Sequence, residues 1–140
     1  MSFTRKTTAL THHATMVMLT AAVGKAEEIG QPQCIVVVDI SGEILGEIRM
    51  DGAKFLRRKS ALAKALTSAS IRGASTNVPD HVRTQIGLAT DGSVTGLPGG
   101  LPVVFEDEVI GAIGIGSGSG EQDIEVAVAA LAAIGAEVKF

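Results

Sequence analysis

The stretch that decides the fold runs Cys34-Ile35-Val36-Val37-Val38-Asp39-Ile40-Ser41-Gly42-Glu43-Ile44-Leu45-Gly46-Glu47-Ile48-Arg49-Met50. Its first half, Cys34 to Ile40, is a β-branched run of the kind found in strands buried on both faces. Ser41-Gly42 can turn the chain. Glu43 to Met50 alternates polar with apolar residues, the period of a paired strand with one face buried. Two strands joined by so short a turn make an antiparallel hairpin.

Working outward, the chain before the hairpin reads as a helix from Thr8 to Ile29. Leu10, His13, Val17, Ala21 and Ala22 recur there at steps of three and four. Gly30 suits the position past the helix end, and Pro32 prevents continuation. After the hairpin, Asp51-Gly52 is a turn. Lys54 to Arg72 then reads as a second helix with Leu56, Leu62, Ala65, Leu66 and Ala69 inward. Arg57, Arg58 and Lys59 open it, and cations at a helix start oppose the macrodipole. They read as a solvated face or as service to a ligand or partner. Pro79 to Leu88 suits a short helix. Thr90 to Pro102 (TDGSVTGLPGGLP) is a glycine- and proline-rich loop of a length that points to function. Val103–Phe105 and Val109–Ile115 read as two more strands, joined by Glu106-Asp107-Glu108. Gly114 to Gly120 is a second glycine/serine loop. Glu121 to Ala136 is an alanine-rich helix with Glu121 and Asp123 in its first turn, where acids are favoured.

The strands therefore arrive in hairpins, without βαβ crossovers. That predicts the α+β class: an antiparallel β-sheet flanked by helices. The 140 residues suit a single domain, 1–140. Hydrophobic residues make up 46% and charged residues 19%, which excludes a disordered chain. The surplus of apolar residues favours a homo-oligomer. Twelve basic against fifteen acidic residues give a net charge of −3, so no general attraction to nucleic acid is expected. With no Trp or Tyr and four Phe, a base-stacking platform is not expected either. No unbroken apolar window reaches membrane-spanning length. A cytoplasmic, non-membrane protein is the expectation. The one cysteine, Cys34, reads as a small buried hydrophobe, and no cysteine-rich metal site can form around it.

Three constellations could carry chemistry. Gly114-Ile115-Gly116-Ser117-Gly118-Ser119-Gly120 follows a strand and precedes a helix, but it lacks the lysine of a P-loop and the βαβ unit of a dinucleotide fold. It reads as an ordinary strand-to-helix loop or as the lining of a pocket. His12 and His13 are neighbours on a helix, about 100° apart, so they do not chelate one metal. Either alone could be an axial ligand to haem. Arg49 ends a strand just before the Asp51-Gly52 turn and could clamp a carboxylate bidentately. Lys64, on a helix face of small apolar residues, needs an anionic partner if buried. A structural ion pair and a substrate clamp are equally open for these two cations.

The chain resembles the GlcG/HbpS-like family, also found as the C-terminal domain of PduO and often labelled a haem-degrading domain. The resemblance runs from about residue 10 to 135. It is carried by Ala26-Glu27-Glu28-Ile29-Gly30-Gln31-Pro32, Val36-Val37-Val38-Asp39 with Gly42, and Arg49-Met50-Asp51-Gly52-Ala53. It continues through Lys64-Ala65 with Thr67, Pro98-Gly99-Gly100-Leu101-Pro102, Val109 to Ile115, and Glu121-Gln122-Asp123. The RMDGA and GGLP elements are its most specific parts. The resemblance implies an antiparallel sheet flanked by helices, assembly from dimers up to octamers, and haem or a related tetrapyrrole as ligand in some members. The family's histidine near the first helix can correspond here only to His12 or His13. Around the implied pocket the chain departs from the family. Arg57-Arg58-Lys59 stands where a serine is common, and the Ser-Gly loop is permuted to Gly116-Ser117-Gly118.

Three functional readings follow. The first is a small-molecule-binding protein that takes haem or a tetrapyrrole through His12 or His13. The second is an enzyme acting on a small carboxylated metabolite. There Arg49 and Lys64 would hold the carboxylate, Asp51 or Asp123 would serve as acid/base, and the loops at Gly99-Gly100 and Gly116-Ser117-Gly118 would supply dipoles. The third is a non-catalytic oligomeric scaffold whose glycines permit close subunit packing. The ligand readings expect Arg49, Lys64, Gly99 and Gly116 around one hollow.

Overall fold

The computed structural model describes residues 1–140. The chain runs α1 (His12–Glu28), β1 (Cys34–Asp39), β2 (Ile44–Arg49), α2 (Arg57–Ile71), two short 3₁₀ turns, α3 (Arg83–Ala89), β3 (Gly100–Phe105), β4 (Glu108–Gly116) and α4 (Gly120–Ala133). The four strands form one sheet in the order β2-β1-β4-β3, every pair antiparallel. The α+β architecture read from the hairpins is the one observed.

Local chemistry explains the element ends. The Thr11 side chain accepts from Ala14 N and starts α1. Past its last turn, Gly30 takes φ +68°, a left-handed conformation that glycine adopts without steric cost. A capping box starts α4, with Ser119 accepting from Gln122 N while the Gln122 side chain accepts from Ser119 N. The β3–β4 hairpin closes through Glu106 and Asp107, both at positive φ (50° and 62°). That is the type I′ geometry of tight hairpins, held here by two residues that carry a Cβ.

Helices cover both faces of the sheet. Alternation along β1 sends Ile35 and Val37 to one side and Cys34, Val36 and Val38 to the other. Ile35 and Val37 join Ile113, Ile115, Leu101 and Val103 beneath α1 and α4. Cys34, Val36 and Val38 join Ala112 against Ala61, Ala65 and Ala69 of α2. The second interface is thin because both partners are small. A methyl group on Gly114 would run into the Ala61 carbonyl, and one on Gly100 into that of Lys64. The backbone of α2 therefore lies directly on β3 and β4.

Several expectations need correction, among them the second glycine/serine loop, of which Gly114 to Gly116 already belong to β4 and Gly120 to α4. The strand β2 was expected to bury one face, yet Ile44, Leu45 and Ile48 are all exposed. It is the outermost strand, and only α1 reaches it from above. Leu56 was expected inward on α2, but it precedes the helix and is 62% exposed. The glycine-rich loop ends sooner than its composition indicated, because Gly100, Leu101 and Pro102 already belong to β3. Glu108 belongs to β4, so the turn before it is two residues long.

Candidate functional site

The register aligns several singled-out residues at one end of the sheet. Arg49 pairs with Cys34, and Cys34 with Gly116. Beside them, Ile115 N donates to the Gly99 carbonyl (3.0 Å). Arg49 on β2 is thus two strand spacings, about 10 Å, from Gly116 on β4.

Around Gly116 the site is filled. Lys64 and Asp123 are 5% and 2% exposed. The Lys64 ammonium donates to Asp123 Oδ2 (2.8 Å) and to the Ile115 carbonyl (2.7 Å). The other carboxylate oxygen of Asp123 accepts from Gly118 N (3.1 Å). Gly99 closes over this pair at φ +120°; a Cβ there would lie 2.9 Å from Asp123 Cβ and 3.2 Å from Lys64 Cδ. Gly100 packs on the Lys64 main chain, and Gly116 on the Arg57 carbonyl and Ser60. Ser117, at φ +99°, accepts from Lys54 N through its hydroxyl and from Gln31 Nε2 through its carbonyl. So Lys64, Asp123 and the glycine loops do converge, on a sealed ion pair. In this geometry each charge is matched by the other, and neither faces solvent.

Arg49 stands apart from that cluster. It lines an open groove of about 480 Å³ between the end of α1 and β2, with Val23, Ala26, Glu27, Gln31, Ile48, Met50 and Asp51 on the walls. No carboxylate lies within ion-pair distance of its guanidinium. Asp51, also exposed, is likewise without an ion pair. The lining is mixed: apolar Val23, Ala26, Ile48 and Met50 stand with two carboxylates, Glu27 and Asp51, and with Arg49, whose strand position pairs with Cys34 on the α2 face of the sheet. His12 and His13 are exposed in the first turn of α1, about three helical turns from Val23.

Sequence reasoning passed over Gln33. Its side chain is fully buried, and neither the amide oxygen nor the amide nitrogen has a partner. The signal available was a glutamine abutting the apolar run at Cys34. No three or more His, Cys, Asp or Glu side chains are grouped to hold a metal ion. No helix is long and apolar enough to cross a membrane.

The fold is that of an α+β protein with an antiparallel sheet and an open groove at one sheet end. The chain belongs to the family of haem-degrading HbpS-like proteins, whose model matches residues 10–132. It is similar to the crystal structure of Klebsiella pneumoniae protein ORFY (TM-score 0.91, 30% identity, 96% of this chain and 97% of that one). It is also similar to the structure of a PduOC–haem complex (TM-score 0.87, 28% identity, 95% and 100% covered). A Citrobacter freundii protein from the dhaT-dhaS intergenic region, of 15.0 kDa and uncharacterised, is 32% identical over 111 residues, 76% of this chain and 78% of that one.

Proposed function

We propose that this protein binds haem or a related tetrapyrrole, working as a homo-oligomer. The observation that carries the reading is the haem complex of a relative that shares the fold over nearly the whole chain. The groove fits one part of such a ligand. Val23, Ala26, Ile48 and Met50 would contact the apolar ring, and Arg49, reaching around the open β2 edge from the other face, would hold a carboxylate. The groove holds no histidine, and His12 and His13 stand about three helical turns from it, so either would serve as iron ligand only to a ring held in the groove of another copy. When bound, haem iron would supply ligand-binding or redox chemistry. The contribution of this chain is to orient the ring and neutralise its carboxylates.

The test is a haem titration followed by the Soret band, on the native chain, a His12→Ala/His13→Ala variant and Arg49→Ala. Saturable binding is expected. Loss of the band shift in the double histidine variant assigns the iron ligand, and weaker binding in Arg49→Ala, by about tenfold, assigns the carboxylate contact. A flat titration of the native chain refutes the reading.

The unpaired guanidinium of Arg49, with Asp51 on the same groove wall, favours a second reading: an enzyme acting on a small carboxylated metabolite. Arg49 would hold the carboxylate and Asp51 would move a proton. Stabilisation of the native chain by small hydroxy or oxo acids, absent in Arg49→Ala, would select it over haem binding.

A further inference from the structure

The start of α2 is charged against its own helix. Lys54-Phe55-Leu56-Arg57-Arg58-Lys59 is exposed throughout. The first turn of the helix holds no acid, and no side chain caps it. Arg57, Arg58 and Lys59 therefore oppose the positive end of the macrodipole with nothing to offset them. Charge is concentrated around this tip. Residues 47–60 carry five of the twelve basic residues and two of the fifteen acidic ones, on a chain of net charge −3. Lys54, Arg57, Arg58 and Lys59 form no ion pair. Glu47 shares a shallow hollow with Arg58 and Lys59 but lies beyond ion-pair distance of both.

Two large apolar side chains crown the same tip. Phe55 and Leu56 are 59% and 62% exposed. The segment beneath them is fixed. Lys54 N donates to Ser117 Oγ (3.3 Å), and the Cys34 thiol donates to the Lys54 carbonyl (3.7 Å). Ala53 packs against the core between α2 and the sheet. Phe55 and Leu56 are thus held out from the sheet end and do not fold back onto it.

The arrangement selects among anionic partners. The amides of Arg57, Arg58 and Lys59 already donate to the carbonyls of Lys54, Phe55 and Leu56 (3.0, 3.2 and 3.2 Å), so they are not free to cradle a phosphate. Consecutive cations on a helix fan around its axis in steps of about 100° and do not converge on one small ion. A dissolved polyanion would satisfy the cations and leave Phe55 and Leu56 in water. An anionic bilayer answers both halves. Its phosphates are spread over a plane, and the layer beneath them accepts apolar side chains.

We propose that the start of α2 docks this protein end-on against an anionic membrane surface. Phe55 and Leu56 enter the headgroup layer, and Lys54, Arg57, Arg58 and Lys59 meet the lipid phosphates. The positive end of the helix dipole then faces negative charge, so the term that is unfavourable within the chain becomes favourable at the surface. The contact is peripheral and needs one tip of the molecule, which whole-chain composition does not register. It is independent of the ligand reading above.

The test is co-sedimentation with vesicles of phosphatidylcholine alone and of phosphatidylcholine mixed with phosphatidylserine. It compares the native chain, Arg57→Gln/Arg58→Gln and Phe55→Ser/Leu56→Ser, each first shown by thermal melting and light scattering to fold and to keep the native mass. The native chain is expected on the mixed vesicles only, and less of it as salt is raised. Each cation at such a surface strengthens partitioning about fivefold, so the double glutamine variant should bind about tenfold or more weakly. The double serine variant should also bind more weakly, at every salt concentration. Four results would each overturn the proposal: no native binding to mixed vesicles, equal binding to both kinds, either variant binding like native, or retention on heparin without retention on vesicles. A folded double serine variant of altered mass would overturn it too, by placing the tip between copies of the chain.

Discussion

The Lys64–Asp123 pair is where the balance of forces is clearest. Both groups are out of water, and three hydrogen bonds tie them to each other, to Ile115 and to Gly118. Such a pair adds little over two apolar residues of the same shape, but removing one partner strands the other charge. Lys64→Met should therefore cost about 3–5 kcal/mol. The double change Lys64→Met/Asp123→Leu should cost much less than the sum of the two singles. Urea unfolding of all four chains measures this; additive losses would show that the two charges act independently. The need of a buried Lys64 for an anion was legible in the sequence. Its partner was not, because the two lie 59 positions apart and Asp123 has the appearance of any acid in a first helical turn. Gln33 was illegible for a similar reason: the distant Gly118 loop packs on it, with Gln33 Nε2 2.7 Å from where a Cβ on Gly118 would stand, and no local pattern encodes that contact.

At the scale of elements, the hairpins were legible and the meaning of the glycines was not. A glycine marks a place where something approaches the backbone closely, and it does not say what. At Gly100, Gly114 and Gly116 the approaching object is α2 of the same chain. The composition of GGLP and GIGSGSG is the same for a ligand loop and for a helix bed. Gly114→Ala should destabilise by about 1–3 kcal/mol through overpacking, since Ala61 and Ala65 offer backbone atoms that cannot turn aside. Gly24→Ala, with nothing within 4 Å of the added methyl, should be neutral or slightly stabilising. Thermal denaturation of the two variants separates the cases, and equal melting temperatures would refute the account. The misreading of β2 has a different origin. Alternation shows that a strand has an apolar face, but not whether a helix of its own chain is long enough to cover it.

For the molecule as a whole, two groups make stability fall in alkali. Burial pushes the Cys34 thiol above its ordinary pKa of 9.0, outweighing the nearby Arg49 and Arg58 charges. The unfolded chain releases that proton first, so stability declines as pH rises past the ordinary value. Lys25 is raised from 10.5 by hydrogen bonds to Glu28 and Glu125, the second of which links α1 to α4. Its contribution is whole below the ordinary value and is lost as pH climbs through the raised one. The urea midpoint should therefore drop between about pH 8 and about pH 10, and drop less in Cys34→Ala. An unchanged midpoint across that window would contradict the assignment.

The two ends of the chain meet the fold side by side. Glu137 bridges to Val104, and Leu10 packs where a side chain on Gly111 would stand. Val103 is the direct cross-strand partner of Gly111, so the Leu10 and Glu137 contacts are neighbours. They lie at the end of the sheet away from Arg49. The chain thus enters the fold beside Leu10 and leaves it beside Glu137, both at the sheet end opposite the Arg49 groove.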